Sequence, residues 1–285
     1  LSWRFILAKI MVQGATSSAG KSLLCTGLCR YFYKKGLKVF PFKSQNMSRN
    51  AFVDEDGNKI ATAQVQQAFA CNRKPDVKMN PVLLIPKTDV GSTVVLFGEE
   101  FKDMKAREYF EYKKELLPII EKTFSEIESE NDIVVVEGAG SPAEINLREN
   151  DIVNMGLAEL VDLPVILVAD IDRGGVFASL YGTVMLLSEN ERNRIKGLVI
   201  NKFRGDKTLL DSGIEEIEKL TGIPVIGTIP YVKLNIPDED SLVDYDKPAN
   251  HGGVSKEELE IEFDKLMNAI EENMDMKLVE EIAGL

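Results

Sequence analysis

The chain of 285 residues has one histidine, His251, one tryptophan and three cysteines, and none of these forms a C-x-x-C pair. With so few soft ligands, a structural zinc centre is not expected. Cys25 and Cys29 lie four apart on one face of an expected helix, and with Cys71 they read as small buried apolar residues of a reducing, cytoplasmic setting. No apolar run approaches the length of a bilayer span. The opening stretch "LSWRFILAKIMVQG" runs straight into an expected strand and is too short to read as a signal peptide. The chain also lacks positive charge in excess. Its net charge is −12, which argues against a nucleic-acid partner. From Val254 onward ten acids face three lysines, so more than half of that excess sits in the last 32 residues. The rest of the chain is close to balanced, and local clusters of basic residues there can still meet an anionic ligand.

What is present is alternation. Runs rich in Val and Ile at 9–13, 38–42, 133–137, 164–170, 197–201 and 224–229 are apolar on both faces, as strands buried in a parallel sheet are. Helical periodicity fills 22–35, 61–71, 107–130, 153–160, 176–187 and 207–221. The expected fold is α/β, a P-loop NTPase with a mostly parallel, doubly wound sheet and helices on both faces. Its ligands belong at the carboxyl ends of the strands. Residues 42–103 interrupt the alternation as a long insertion of the kind that carries substrate contacts. Residues 1–235 are read as the main domain. Residues 236–285 are read as a Pro-, Asp- and Asn-rich linker followed by an acidic amphipathic tail of one helix or two short ones, docked on this domain or on a partner.

The sharpest local signal is "MVQGATSSAGKSLLC". Gly14, Ala15, Thr16, Ser17, Ser18, Ala19 and Gly20 are all small, so backbone N–H groups can close on a phosphate at a helix N-terminus. Lys21 supplies a charge to the β- and γ-phosphates and Ser22 a hydroxyl to Mg²⁺. Five residues separate Gly14 from Gly20, one more than the strict pattern, and Ala15 occupies its first glycine position. The extra early lysine of ParA- and MinD-like switch ATPases is missing between Gln13 and Gly20. Glu137, at the end of the strand "DIVVVEGAG", is expected to be the second metal ligand, direct or through water. Asn201 and Lys202 end another strand, where an amide can read a base edge. Arg204 stands where the guanine motif N-K-x-D has Asp, which favours ATP over GTP. Lys21, Lys43, Arg49, Arg148 and Arg173 all fall near expected strand ends and suggest a polyanion site, with Gln45 and Asn46 beside them as substrate contacts.

The strings "QGATSSAGKS", "PFKSQNMS", "MNPVLLIPKTD", "EGAGSPAEINLRENDIVNMG", "VILVADIDRGGVFASLYGT" and "VINKFRGD" follow one another as in the cobyric acid synthase family, over about residues 10–242. Dethiobiotin synthetase, a more distant relative, is similar in the loop spacing. The resemblance implies ATP- and Mg²⁺-dependent amidation of the b, d, e and g carboxylates of adenosylcobyrinic acid a,c-diamide, through phosphorylated carboxylates. It implies a catalytic role for Lys21, Lys43 and Glu137, with Lys43 bridging the γ-phosphate and the substrate carboxylate. Arg148 and Arg173 would meet corrinoid carboxylates, and Asp170 and Asp172 would orient substrate or metal. The family normally continues into a class I glutaminase domain of roughly 200 residues, with a cysteine nucleophile. After Leu242 this chain has 43 residues without a cysteine. The tail loosely resembles the family's last helices, as if the glutaminase were missing from the middle. The expected ammonia source is therefore free ammonium or a separate glutaminase. A homo-oligomer stays open, as do two alternatives: cobyrinic acid a,c-diamide synthase, and a non-catalytic nucleotide-binding partner.

Overall fold

The β-branched runs form the middle layer of the molecule. The computed structural model describes residues 7–88, 91–236 and 255–285. Most of the expected linker, with His251, therefore lies outside the described residues. The strands are β1 (Ala8–Gly14), β2 (Val39–Phe42), β3 (Gln45–Met47), β4 (Ala51–Val53), β5 (Lys59–Ala61), β6 (Val82–Thr88), β7 (Gly91–Leu96), β8 (Glu99–Lys105), β9 (Ile133–Glu137), β10 (Val165–Asp170), β11 (Ile195–Phe203) and β12 (Val225–Pro230). The helices are α1 (Lys21–Lys34), α2 (Thr62–Ala70), α3 (Ala106–Glu130), α4 (Met155–Leu160), α5 (Val176–Leu186), α6 (Glu189–Arg192), α7 (Asp211–Thr221), α8 (Lys256–Glu271) and α9 (Met276–Ala283). All six expected strands and all six expected helices are present, with ends displaced by a residue or two except where β11 runs further and α7 begins after a short 3₁₀ turn.

The main sheet is parallel throughout, in the order β12-β11-β10-β1-β9-β2. The chain passes from β1 to the far edge at β2, returns through β9, and crosses β1 to β10. The order reverses around β1, and in open sheets the ligand crevice lies at such a switch, beyond the strands' carboxyl ends. Side chains alternate between two buried layers. Met11, Val134 and Val136 face α3, α4, α5 and α7. Ile10, Val12, Ile133 and Val135 face α1, α8 and α9. A parallel sheet covered on both faces needs this two-sided hydrophobicity.

The insertion is more ordered than a set of loops. It contributes a second sheet, β3-β6-β7-β8, a β4–β5 hairpin and helix α2. The β7–β8 turn is the two-residue pair Phe97–Gly98, with φ of 47° and 87° at its two positions, as the twist of a tight hairpin requires.

The tail docks on the nucleotide domain. Leu266 and Ile270 of α8 pack in the same layer as Leu24 and Leu28 of α1, and Val279 of α9 joins them. Gly27 lets the helices approach, since a Cβ there would stand 2.1 Å from the Ile270 methyl Cδ1. Met274 pairs as an isolated bridge with Gly227 of β12. The hydrophobic layer is thus continuous across the expected 235/236 boundary. A sheet face with α1 alone over it would leave apolar surface exposed to water.

Candidate nucleotide site

Strand β1 ends at Gly14, and Ala15 continues its ladder by donating to the Val168 carbonyl at 2.8 Å. The chain then turns through Ser18 and Gly20, with φ of 59° and 98°, and enters α1 at Lys21. No side chain caps that helix and no acid sits in its first turn, so its N-terminal dipole is left for an anion. Gly14 leaves room for the loop as well as for the lysine, since a Cβ there would stand 2.9 Å from the Thr16 carbonyl oxygen. A Cβ there would lie 2.9 Å from Lys21 Nζ, which folds back to donate to the carbonyls of Thr16 (3.2 Å) and Gly140 (2.9 Å).

Glu137 is the centre of the site. It ends β9, one strand over from Val12, and is 1% exposed. Its Oε1 accepts from Ser22 Oγ at 2.8 Å and pairs with Lys43 Nζ at 2.7 Å. Its Oε2 accepts from the amides of Gln67 at 2.5 Å and Gln64 at 3.3 Å. An isolated buried carboxylate is costly, and a cation, a hydroxyl and two amides offset the loss of water. Beneath it, Cys25 and Cys29 are fully buried. Burial, and next for Cys25 the negative charge of Glu137, pushes that thiol well above its ordinary range. Cys29 is pushed up by burial first and then by its neighbour Cys71. Neither thiol has the ionised character of a nucleophile.

Asn201 and Lys202 act on the loop itself. Asn201 donates to the Ala19 carbonyl at 3.0 Å, and a Cβ on Gly20 would stand 2.1 Å from that amide. Lys202, in the left-handed region at φ 61°, reaches the Ser18 carbonyl at 2.7 Å and Asp170 at 2.8 Å. In this structure both residues strap the P-loop to the ends of β10 and β11, where the sequence suggested a base contact.

The five basic residues do not all converge. Lys21 and Lys43 both reach the end of β9, the first at the Gly140 carbonyl and the second at Glu137. Arg148 does not join them: it donates to the Leu186 carbonyl at 2.7 Å, at the C-terminal end of α5, and its Nε lies 3.6 Å from Glu191. A strand-end position in the sequence places its backbone but not its side chain. Arg49 and Arg173 stand exposed on the loops leaving β3 and β10. Asp172 pairs with Arg204, whose guanidinium lies over Tyr231. Gln45 accepts from Tyr109 of α3 at 2.6 Å, and Asn46 accepts from the next residue's N–H.

Gln64 and Gln67 are absent from the sequence-based site. They sit three apart on α2 in "TAQVQQAFA", which puts both on one helix face. That spacing is the only local signal they carry. Asn154 was likewise not singled out: its amide donates to the Ala139 carbonyl at 2.6 Å, and a Cβ on Gly138 would come within 2.4 Å of its Oδ1. The glycines after Glu137 thus let the chain pass close to Asn154 and turn Gly140 toward Lys21.

Residues 10–242 match the family described as CobQ/CobB/MinD/ParA nucleotide binding domain. The chain belongs to this family. It is 59% identical over 233 residues to cobyric acid synthase from Streptococcus sanguinis, covering 82% of this chain and 47% of that protein. It is 53% identical to the Limosilactobacillus reuteri cobyric acid synthase, over 91% of this chain and 52% of that protein. The match to the Alkaliphilus metalliredigens cobyric acid synthase, 52% identical, covers 96% of this chain and 54% of that protein. The last match takes in α8, so at least the first helix of the tail lies within the similar segment. The chain spans about half the length of the curated relatives it matches. Among solved structures, the signal recognition particle receptor FtsY from Elizabethkingia anophelis overlays with a TM-score of 0.42 at 16% identity, covering 90% of this chain and 65% of that one. Among the described residues no helix is long and apolar enough to cross a membrane.

Proposed function

We propose that this chain is an ATP-dependent carbon–nitrogen ligase, the amide-forming part of a cobyric acid synthase. Its substrate would be adenosylcobyrinic acid a,c-diamide, and its product adenosylcobyric acid, amidated at the b, d, e and g carboxylates. The single observation that supports this most is the second lysine. Lys43 and the P-loop serine share one oxygen of the same buried carboxylate. A phosphoryl-transfer site with two lysines can hold the nucleotide with one and meet an acceptor carboxylate with the other.

A carboxylate is a poor acyl donor. Attack of its oxygen on the γ-phosphorus breaks the bond to ADP and forms an acyl phosphate. Ammonia then attacks the acyl carbon, inorganic phosphate leaves with the electron pair of the C–O bond, and the proton lost by the nitrogen ends on the phosphate. Lys21 neutralises charge developing on the transferring group. Lys43 brings the acceptor carboxylate toward it, which offsets the repulsion between two anions. Arg49 and Arg173, exposed on neighbouring loops, suit the remaining carboxylates of a polyanionic acceptor. Asp170 and Lys202 keep the P-loop in place.

The donor set fits magnesium. Ser22 and Glu137 offer hard oxygen ligands within hydrogen-bond distance of each other, and an ATP site supplies phosphate oxygens for the rest. When bound, the ion would screen the phosphate charge. The ammonia would come from free ammonium or from a glutaminase that lies outside these 285 residues.

An amidation assay on the purified chain, read by mass spectrometry, tests this. With ATP, Mg²⁺ and ammonium, the diamide is expected to gain up to four amides, and glutamine alone is expected to give none. ATP turnover that ignores the corrinoid, with no amide formed at saturating ammonium, overturns the proposal. Two amides added to cobyrinic acid, and none to the diamide, would instead favour the a,c-diamide synthase reading.

A further inference from the structure

We propose that Gln64 and Gln67 of α2 are positioning residues for the metal-binding oxygen of Glu137. The idea rests on the reading of Glu137 as a magnesium ligand. The two oxygens of this carboxylate are used differently. Among the described residues, Oε2 accepts from neutral donors, the amides of Gln67 at 2.5 Å and Gln64 at 3.3 Å. Oε1 takes the groups on the P-loop side, Ser22 and Lys43. All three residues of the clamp are essentially inaccessible, Glu137 at 1% and both glutamines at 0%. The carboxylate therefore has no solvent to orient it.

Donor chemistry explains why amides serve here. A carboxylate buried this deeply needs hydrogen bonds on both oxygens. An Arg or Lys on the Oε2 side would supply them but would also cancel the charge that attracts a cation to Oε1. Glutamine donates without neutralising. It fixes the plane of the carboxylate and adds no second cation to the one that Lys43 already brings to Oε1. Partners of this kind, one step removed from the metal, commonly change its affinity by about 10–100-fold when removed. Gln64 keeps one acceptor in reserve, since its buried Oε1 has no hydrogen-bond partner among the described residues. That leaves a neutral oxygen beside the carboxylate rather than a second anion competing with it.

The test is Mg²⁺-dependent nucleotide binding, measured by calorimetric titration of Mg²⁺ into the full chain with a non-hydrolysable ATP analogue. Gln67→Leu is expected to raise the Mg²⁺ concentration at half-saturation about 10-fold or more. Binding of the same analogue in EDTA should change by less than about twofold. Gln64→Leu, whose bond is longer, should shift the midpoint in the same direction by less. Gln67→Lys separates positioning from simple support. It keeps a donor to Glu137 and the fold, yet should abolish the Mg²⁺ dependence because its ammonium competes with the ion. An unchanged Mg²⁺ midpoint in folded Gln67→Leu, or normal Mg²⁺ dependence in Gln67→Lys, overturns the proposal. No corrinoid enters the measurement, so its failure and the failure of the amidase reading are told apart.

Discussion

An ion pair stands near each end of helix α1, and the two serve different purposes. At the outer flank, Arg30 is 2% exposed and spends its guanidinium on Asp264 at 2.7 Å, Glu260 at 2.6 Å and the Ala70 carbonyl at 3.3 Å. Both acids are more than a third exposed and come from the docked tail. At the N-terminal end, Lys43 and Glu137 are both buried, at 4% and 1%, and their neighbours are a P-loop hydroxyl and two amides. The arginine is locked by a planar fork with its donors used. The lysine is a point charge on a flexible stem, beside a loop of small residues that can admit an anion. One pair closes a surface, and the other lies behind a loop that is open to solvent at Thr16, Ser17 and Ser18. Both are reached from the same helix, so the tail supports the element that begins the nucleotide site.

The largest effect should come from the open end. Lys21→Ala is expected to lower ATP turnover by at least about 100-fold while leaving the urea midpoint nearly unchanged. A steady-state assay beside a denaturation curve checks both halves of that statement. The closed flank should behave in the opposite way. Ile270→Asp places a charge in the layer between α8 and α1 and is expected to cost about 3 kcal/mol or more of stability. Nucleotide binding should then weaken only as far as the folded fraction falls. If Ile270→Asp removed binding from a chain that is still fully folded, the tail would belong to the site itself.

The contrast has a pH signature. Asp264 is held below its ordinary range by hydrogen bonds from Arg30 above all, and Glu280 by Lys35 and then Tyr31. A carboxylate depressed in the folded state binds fewer protons there than in the unfolded chain. Its contribution is complete above the unfolded value, about pH 4, and is lost as pH falls through the lower folded value. Unfolding midpoints should therefore drop in acid. Arg30→Met should lose about 1 kcal/mol near neutrality, because Asp264 and Glu260 lose their partner, and should flatten the part of that acid slope that Asp264 carries. A slope unchanged in Arg30→Met would locate the acid sensitivity elsewhere.

Much of this was legible in the chain. β1, β9 and β10 are continuous apolar runs, and the P-loop is a contiguous string whose chemistry needs small residues followed by Lys21 and Ser22. Glu137 is visible because an acid that ends an apolar strand is conspicuous. Gln64 and Gln67 are hidden because an amide on a helix carries no local sign of a partner some 70 residues away. Arg148 misleads for a related reason: its backbone lies where expected, but its side chain answers to the carbonyls of α5. The tail's period of three to four announces an amphipathic helix, yet it does not say which surface will take it. That depends on Gly27, which the P-loop motif does not require. The insertion shows in the sequence only as a break in the alternation, since a small sheet built of short strands has little periodicity to detect.

The central claim is that ATP is used to activate a carboxylate. Corrinoid diamide labelled with oxygen-18 in its free carboxylates, converted by this chain with ATP, Mg²⁺ and ammonium, tests it most directly. One labelled oxygen should appear in inorganic phosphate for each amide formed. Amide formation with unlabelled phosphate, the label lost to water, would contradict the account.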